Sequence, residues 1–248
     1  MEKFTRLFAF IAIALPFFSS CNFLSKQGTQ GDYQIVHKTI DISDYDEIVV
    51  KLNAKVAKII YQQFSDSVPY LQVNTDDNIF SALDIRVEDN KLIIDTKPDS
   101  VIQPTQLTIY TNSKNLKSAQ MTGVGELYLR GEVNAENFDM NVSGVGNIRT
   151  DSLLCENLNV NISGVGNAKL IGAAKESSFT VTGVGNIKAF DYLVQSANCK
   201  VTGVGNIEVY PKAKLDASVS GAGKIKYKGA PDSTNLSVSG GGKIEKAE

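Results

Sequence analysis

The C-terminal half of the chain repeats a Ser/Thr-Gly-x-Gly unit seven times, and this repeat constrains the fold more than any other feature. The first glycines of the seven units are Gly123, Gly144, Gly164, Gly183, Gly203, Gly221 and Gly240. They follow one another at intervals of 18 to 21 residues. A fixed motif with a period of about 20 residues is typical of a solenoid and is too short for a repeat of paired helices. We therefore predict an all-β solenoid with coils of about 20 residues.

Apolar side chains occupy three fixed positions in every copy of the repeat. These positions lie four and two residues before the first glycine and four residues after it, as Ala119, Met121 and Leu127 do in the first copy. Residues two apart on a β-strand point to the same face, so the first two positions share an inward face. One coil cannot bury such a face alone, and the coils above and below complete the core.

The second glycine of each unit marks one corner of the predicted solenoid. A glycine is required where φ is positive or where neighbouring coils approach too closely for a Cβ atom. The next residue is asparagine in four copies, Asn147, Asn167, Asn186 and Asn206. Two explanations stay open for this asparagine column: the stacked amides hydrogen-bond along the axis, or each asparagine adopts the left-handed conformation at the corner. In the outer coils the column continues as Glu126, Lys224 and Lys243, as is expected of terminal repeats.

A column of hydroxyls precedes the glycines and forms the candidate contact stripe of this sequence. Its members are Thr122, Ser143, Ser163, Thr182, Thr202, Ser220 and Ser239. On adjacent coils about 4.8 Å apart, these residues would line up as a flat polar stripe on the outward side of the strand. The hydroxyls either bond to the backbone at the corner, which is a common turn device, or form a contact surface for a glycan, for ice or for another solenoid.

The Gly-x-Gly pairs do not indicate a nucleotide site. The dinucleotide fingerprint needs a third glycine that opens a helix after a strand, whereas Gly123-Val124-Gly125 is followed by the strand pattern Glu-Leu-Tyr-Leu. The single histidine, His37, excludes a metal site built from several histidines and leaves little room for His-dependent nucleophilic catalysis. The formal net charge of -2 does not favour nucleic acid as a partner. We expect no catalytic residue, no cofactor and no metal ligand.

The N-terminal residues have the features of a targeting segment. Lys3 and Arg6 precede an apolar run of twelve residues from Leu7 to Phe18. This run is shorter than the roughly 20 residues that a membrane span needs. We therefore assign residues 1–20 to a signal peptide and exclude them from the fold.

Ser19, Ser20 and Cys21 follow the apolar run and resemble a bacterial lipobox, although Phe18 stands where leucine is usual. The resemblance implies cleavage before Cys21 and acylation of its thiol, which would attach the protein to a membrane. The alternative is an ordinary secretory peptide with a chance cysteine. If Cys21 is acylated, residues 21–32 comprise the lipidated cysteine and a polar tether that is flexible by composition.

Residues 33–118 are predicted to form short β-strands separated by turns. The strand segments are 47–52, 56–61, 70–73, 83–87, 91–96 and 106–110. The stretch Thr75-Asp76-Asp77-Asn78 is expected to be a solvated turn, because its acidic residues match the spacing of no calcium-binding loop.

Two cysteines remain if Cys21 is acylated, namely Cys155 and Cys199. The repeat period places them two coils apart, which is about 10 Å along the axis. A disulfide tolerates a Cα separation of at most about 7 Å. We therefore predict that both are buried free thiols.

The repeat also resembles a known family. The Ser-Gly-Val-Gly-Asn-Ile of residues 143–148 and the Thr-Gly-Val-Gly-Asn-Ile of residues 182–187 and 202–207 are similar to the putative auto-transporter adhesin family with the head GIN domain. Upstream, the Tyr-Asp-Glu-Ile-Val-Val of residues 45–50 and the Leu-Thr-Ile-Tyr of residues 107–110 are weaker parts of the same resemblance.

This resemblance covers roughly residues 33–248. It implies a right-handed parallel β-helix on an envelope lipoprotein. It also implies that residues 33–118 join the same solenoid as the seven repeats of residues 119–248. The function of the family, adhesion, is itself only proposed, and the family offers no catalytic residues to carry over.

Together these features favour a non-enzymatic, lipid-anchored outer-membrane protein of the cell envelope that acts in adhesion or as an interaction scaffold. Its expected partners are the membrane, reached through the N-terminal lipid, and a glycan or an envelope protein. One alternative is a polysaccharide-active enzyme, but the acidic residues of 119–248 do not recur in register. Another alternative is a solenoid that binds ice or glycan along the hydroxyl stripe.

Overall fold

A computed structural model of the protein describes residues 28–65 and 67–247. The signal peptide assigned to residues 1–20, the acylation of Cys21 and most of the tether lie outside the described residues. The elements before the repeat are β1 Thr29–Gln30, β2 Ile35–Asp41, β3 Glu47–Val50, β4 Asn53–Gln63, β5 Tyr70–Asp76, α1 Asp77–Phe80, β6 Leu83–Glu88, β7 Lys91–Thr96, β8 Ile102–Gln103 and β9 Leu107–Ser113. The repeat itself forms β10 Ser118–Met121, β11 Val124–Val142, β12 Val145–Ile162, β13 Val165–Val181, β14 Val184–Val201, β15 Val204–Val219, β16 Lys224–Tyr227, β17 Ser233–Val238 and β18 Lys243–Lys246.

Each of the strands β11 to β15 runs from one Gly-x-Gly corner to the next and is therefore one coil. Successive coils pair in parallel with their glycines aligned, so that Gly125, Gly146, Gly166, Gly185 and Gly205 form one column. The predicted β-solenoid with coils of about 20 residues is thus confirmed. Each coil is one long bent strand with shifts of register, as between Leu129 and Glu132.

The three predicted apolar columns form the core of the solenoid in the first six copies of the repeat. Met121, Phe179 and Ile207 are typical members, and each is fully buried. The seventh copy differs, because Leu236 is 43% and Val238 is 47% exposed. These two residues lie on β17, which pairs with β15 on one side, so no further coil among the described residues covers their faces.

Close contact between coils explains the glycine columns. A Cβ atom on Gly166 would lie 1.8 Å from the carbonyl oxygen of Gly146, and one on Gly185 would lie 1.8 Å from that of Gly166. Of the second glycines in the repeat, Gly125 alone has a positive φ, of 153°. The coil-to-coil distance, and not the backbone conformation, therefore requires glycine at this corner.

Two of the strands that precede the repeat, β3 and β4, pair with its first strands. β3 lies in parallel between β7 and β10, and β4 lies in parallel between β9 and β11. β6 and β7 form an antiparallel hairpin at this end of the sheet. Its turn residues Asp89 and Asn90 both have positive φ, which suits a tight two-residue hairpin turn. Four of the six predicted strand segments of this region lie wholly within strands. The segment 47–52 extends two residues past the end of β3, and 106–110 begins one residue before β9. The strands β2 and β8 and the short helix α1 were not predicted.

The expectation of a solvated turn at residues 75–78 was wrong, because the stretch comprises the end of β5 and the start of α1. Asp76 is fully buried, as is Thr75. Its carboxylate accepts hydrogen bonds from the backbone amides of Tyr33 (2.9 Å) and Thr105 (2.8 Å) and from the Thr105 hydroxyl (2.6 Å). Burial raises the pKa of Asp76, but these hydrogen bonds outweigh it and hold the pKa below its usual value. Asp76 is buried because two chain segments meet at the end of β5 and their donors need an acceptor.

Both cysteines are free, as predicted, and they occupy different columns of the solenoid. Cys199 is fully buried, and burial raises the pKa of its thiol. Cys155 is only half-buried, with its Sγ atom 3.3 Å from the hydroxyl oxygen of Tyr192.

Candidate contact face of the solenoid

One side of the solenoid is a sheet surface covered by polar side chains, which we call the polar face. It is formed by the last part of each long strand and the hydroxyl residue that follows. In β11 the alternation places Asn137, Asp139 and Asn141 outward, and the inward residues between them pack in the core. In-register pairing repeats this arrangement in β12 to β15. The polar face therefore consists of four parallel columns that run along the axis.

The hydroxyl stripe borders the polar face at the corner, and all seven of its residues are exposed. Main-chain bonds close the corner: the amide of Ser143 donates to the carbonyl of Met121 at 3.0 Å, and that of Thr182 donates to Ile162 at 2.9 Å. Within residues 28–65 and 67–247, Thr122 is the one stripe member whose hydroxyl bonds to a protein group, the carbonyl of Val50 at 3.2 Å. The other hydroxyls do not hold the corner together and face solvent.

A column of exposed valines runs beside the hydroxyl stripe and was missed by the sequence reasoning. Val145, Val165, Val184 and Val204 are each about half exposed, at 52%, 49%, 51% and 55%. Each valine lies between two glycines that pack against the neighbouring coil, so its side chain can only point away from the axis. The signal that could have revealed the column is the constancy of this residue, since a corner needs no apolar side chain there.

The asparagine column forms a continuous ladder on the other side of the corner. Asn167 donates to the side-chain oxygen of Asn147 at 2.9 Å, Asn186 donates to Asn167 at 2.8 Å, and Asn206 donates to Asn186 at 2.8 Å. None of these four residues has a positive φ. The sequence left two explanations open for this column, and the structure supports the first, in which the stacked amides form hydrogen bonds along the axis.

A groove of about 720 Å³ follows the opposite border of the polar face. It is lined by residues 137–139 of β11 and by the residues aligned with them in β12 to β15. The sequence reasoning missed this groove, because its residues change from coil to coil. Asn157 donates to Asn137 at 2.8 Å and Asn159 donates to Asp139 at 3.1 Å, so two short ladders orient its first amides.

The described part of the chain offers no group of three or more His, Cys, Asp or Glu side chains placed to hold a metal ion. Among the same residues, no helix has the length and apolar character needed to cross a membrane. The polar face carries hydroxyl, amide and carboxylate groups together with the ammonium groups of Lys200 and Lys214.

The family described as "Putative auto-transporter adhesin, head GIN domain" matches residues 44–231. The chain belongs to this head GIN domain family. The resemblance seen in the repeat is thereby confirmed. Among curated proteins, none matches the chain.

Solved structures with a similar fold include two putative adhesins and a putative lipid binding protein. A putative adhesin from Bacteroides fragilis NCTC 9343 is 31% identical, with a TM-score of 0.84 over 89% of this chain and 100% of that one. A putative adhesin from Parabacteroides merdae ATCC 43184 is 28% identical, with a TM-score of 0.71 over 89% of this chain and 99% of that one. A putative lipid binding protein from Parabacteroides distasonis ATCC 8503 is 31% identical, with a TM-score of 0.72 over 90% of this chain and 100% of that one.

Proposed function

We propose that this protein is a non-enzymatic, lipid-anchored envelope protein that uses the polar face of its solenoid for adhesion. The proposal rests on two adjacent exposed columns, one of hydroxyl residues and one of valines. Both columns recur in register on successive coils. The corner is closed by main-chain bonds, so these side chains are free to contact a partner. A regular array of this kind presents the same group at each coil, about 4.8 Å apart.

The family description supports adhesion, since it names a "Putative auto-transporter adhesin, head GIN domain". The lipobox at Ser19, Ser20 and Cys21 supports the anchor. With residues 1–20 removed and Cys21 acylated, the solenoid would be held at a membrane by its N-terminal side. Whole-protein mass spectrometry of membrane-extracted material tests this part, because an unmodified Cys21 would contradict it.

Asp216, one of the three carboxylates of the groove, is not suited to act as a general acid. A general acid of a polysaccharide-cleaving enzyme needs a raised pKa so that it holds a proton at neutral pH. Asp216 has the opposite property, because a hydrogen bond from Lys214 (2.8 Å) lowers the pKa of its carboxyl. Asp139 accepts a hydrogen bond from Asn159 and is occupied in a ladder. Cleavage of any purified polysaccharide by the protein would contradict the proposal.

A pair of charge-matched variants tests adhesion. Thr182→Glu/Thr202→Glu places two carboxylates on the hydroxyl stripe, and Lys169→Gln/Lys188→Gln makes the same change of net charge on exposed residues across the corner. Attachment of cells that display each variant to host cells or mucus is then compared with the native protein. We expect attachment to fall with the first variant and to persist with the second. Equal attachment of all three would overturn the proposal.

A further inference from the structure

We propose that the groove binds one strand of a neutral or amino-sugar glycan that lies along the axis of the solenoid. This inference rests on the proposed function, since it names the ligand class that an adhesin of this shape would hold. It concerns a different border of the polar face from the hydroxyl stripe, and the two can be tested separately.

The shape of the groove suits an extended polymer. Its lining residues come from the five coils β11 to β15, so it extends for about 20 Å along the axis. Its volume of about 720 Å³ lies within the range of roughly 300–1,000 Å³ that small-molecule sites occupy. Equivalent positions recur once in every coil, and a sugar unit of an extended glycan is about as long as one coil is thick.

The groove carries polar groups that no protein group satisfies. Ser178, Ser196 and Asn198 line it, and none of the three makes a side-chain hydrogen bond to another described residue. In the neighbouring coils the ladder bond of Asn157 uses one of its two amide hydrogens, which leaves the second hydrogen free for a ligand. Free hydroxyl and amide groups at fixed positions match the donors and acceptors of sugar hydroxyls.

The charged side chains of the groove favour some classes of glycan over others. The groove contains the carboxylates of Asp139, Glu176 and Asp216 against the single ammonium group of Lys214, and that ammonium is already paired with Asp216 at 2.8 Å. An anionic polymer would therefore meet an excess of negative charge that repels it. A neutral glycan meets no such penalty, and an amino sugar is attracted.

The groove is less suited to a peptide. Peptides commonly bind solenoids and sheets by adding a strand to an open edge or by placing side chains in apolar pockets. The strands of the groove are paired with coils on both sides, and the apolar residues between its polar columns point into the core, with Phe138 1% and Leu158 2% exposed. Neither kind of anchor is present for a peptide.

Isothermal titration calorimetry on the full chain tests the inference. The probes are cellohexaose, mannohexaose and a glucosamine hexamer, with hexagalacturonate as the anionic probe and a Lys/Gly decapeptide as the peptide probe. Ser178→Ala/Asn198→Ala removes groups that contribute about 0.5–1.5 kcal/mol per hydrogen bond, which corresponds to a loss of affinity of about tenfold. Circular dichroism of this variant establishes that it is folded.

We expect at least one neutral or amino-sugar hexamer to bind the native chain, and to bind the groove variant about tenfold more weakly. Lys169→Gln/Lys188→Gln, on exposed residues across the corner from the polar face, should bind it as the native chain does. The inference is overturned if no neutral or amino-sugar probe binds, if the anionic or peptide probe binds in preference, or if the groove variant retains native affinity. A stripe variant that loses attachment while no glycan binds would sustain the proposed function and reject the groove.

Discussion

Asp76 and Thr105 are joined by two hydrogen bonds: the Thr105 amide donates to one carboxylate oxygen at 2.8 Å, and the Thr105 hydroxyl donates to the other at 2.6 Å. The second oxygen also accepts the amide of Tyr33 at 2.9 Å. Gly31 packs against the same carboxylate so closely that a Cβ atom would lie 2.4 Å from its Cγ atom. A single side chain thus connects the end of β5 to two other segments of the chain.

The first prediction concerns the removal of this carboxylate. Asp76→Ala removes the acceptor of three part-buried hydrogen bonds, and each buried donor left unsatisfied costs about 1–3 kcal/mol. We expect the free energy of unfolding to fall by about 3 kcal/mol or more in urea titrations. Asp77→Ala is the matched control, because Asp77 is exposed, and it should change stability by less than about 0.5 kcal/mol. Similar values for the two variants would contradict the role of Asp76.

The second prediction is a loss of stability in acid. The pKa of Asp76 is lower in the folded chain than its unfolded value of about 3.9, so the carboxylate stabilises the fold fully above that value. This contribution is lost as the pH falls below about 4 and through the folded pKa. Unfolding measured across this range should show a shallower pH dependence for Asp76→Asn than for the native chain. Asp77→Asn should follow the native curve, and parallel curves for all three would disprove the assignment.

Glu245 does not disturb that comparison. A hydrogen bond from Lys243 is the largest cause that lowers its pKa to about 2. This side chain belongs to a lysine cluster at the far end of the solenoid. Its titration therefore contributes equally to the native chain and to the Asp76 variants.

The third prediction tests why the corner is made of glycine. Gly166→Ala places a methyl group 1.8 Å from the carbonyl oxygen of Gly146, and the backbone must move to accept it. We expect a loss of about 3 kcal/mol or failure to fold. Gly241→Ala is the control, because nothing lies within 4 Å of its Cβ position. A melting temperature of Gly166→Ala equal to that of Gly241→Ala would contradict the close-packing explanation.

The fourth prediction is a stabilising substitution. Ser177 is 6% exposed in the inward column between Leu158 and Ala197, and its hydroxyl has no hydrogen-bond partner among the described residues. Ser177→Ala removes this unsatisfied group and should raise the free energy of unfolding by about 1 kcal/mol. Ser178→Ala, on the outward side of the same strand, should leave stability unchanged. A destabilised Ser177→Ala would indicate that the hydroxyl has a partner in solution.

The sequence predicted those parts of the fold that repeat. Met121 and its equivalents are apolar in every copy because every coil needs the same core, so a period of about 20 residues revealed both the solenoid and its inward columns. The hydroxyl stripe was located in the same way. What the period could not predict is whether each hydroxyl bonds to the backbone, so the structural and the contact interpretations of Thr182 both stayed open.

The remaining features depend on contacts that do not repeat. The local sequence around Asp76 predicts a turn. Asp76 is buried because the distant segments that contain Tyr33 and Thr105 pack against it. The groove residues Glu176, Ser196 and Lys214 occupy one column but share no residue type, so the repeat conceals their common position. Sequence periodicity reports the part of a solenoid that all coils share, whereas ligand selectivity would reside in the part that differs.

Because Leu236 and Val238 are exposed, the free energy of local opening differs between the two ends of the solenoid. In the part of the chain that the structure describes, an inner coil must lose two interfaces to open, whereas the coil that carries β17 loses only one. Local opening therefore starts at this end and proceeds inward, and the hairpin of β6 and β7 covers the other end. The rate of amide hydrogen exchange should therefore decrease coil by coil from β18 towards β11, because the coils open in that order.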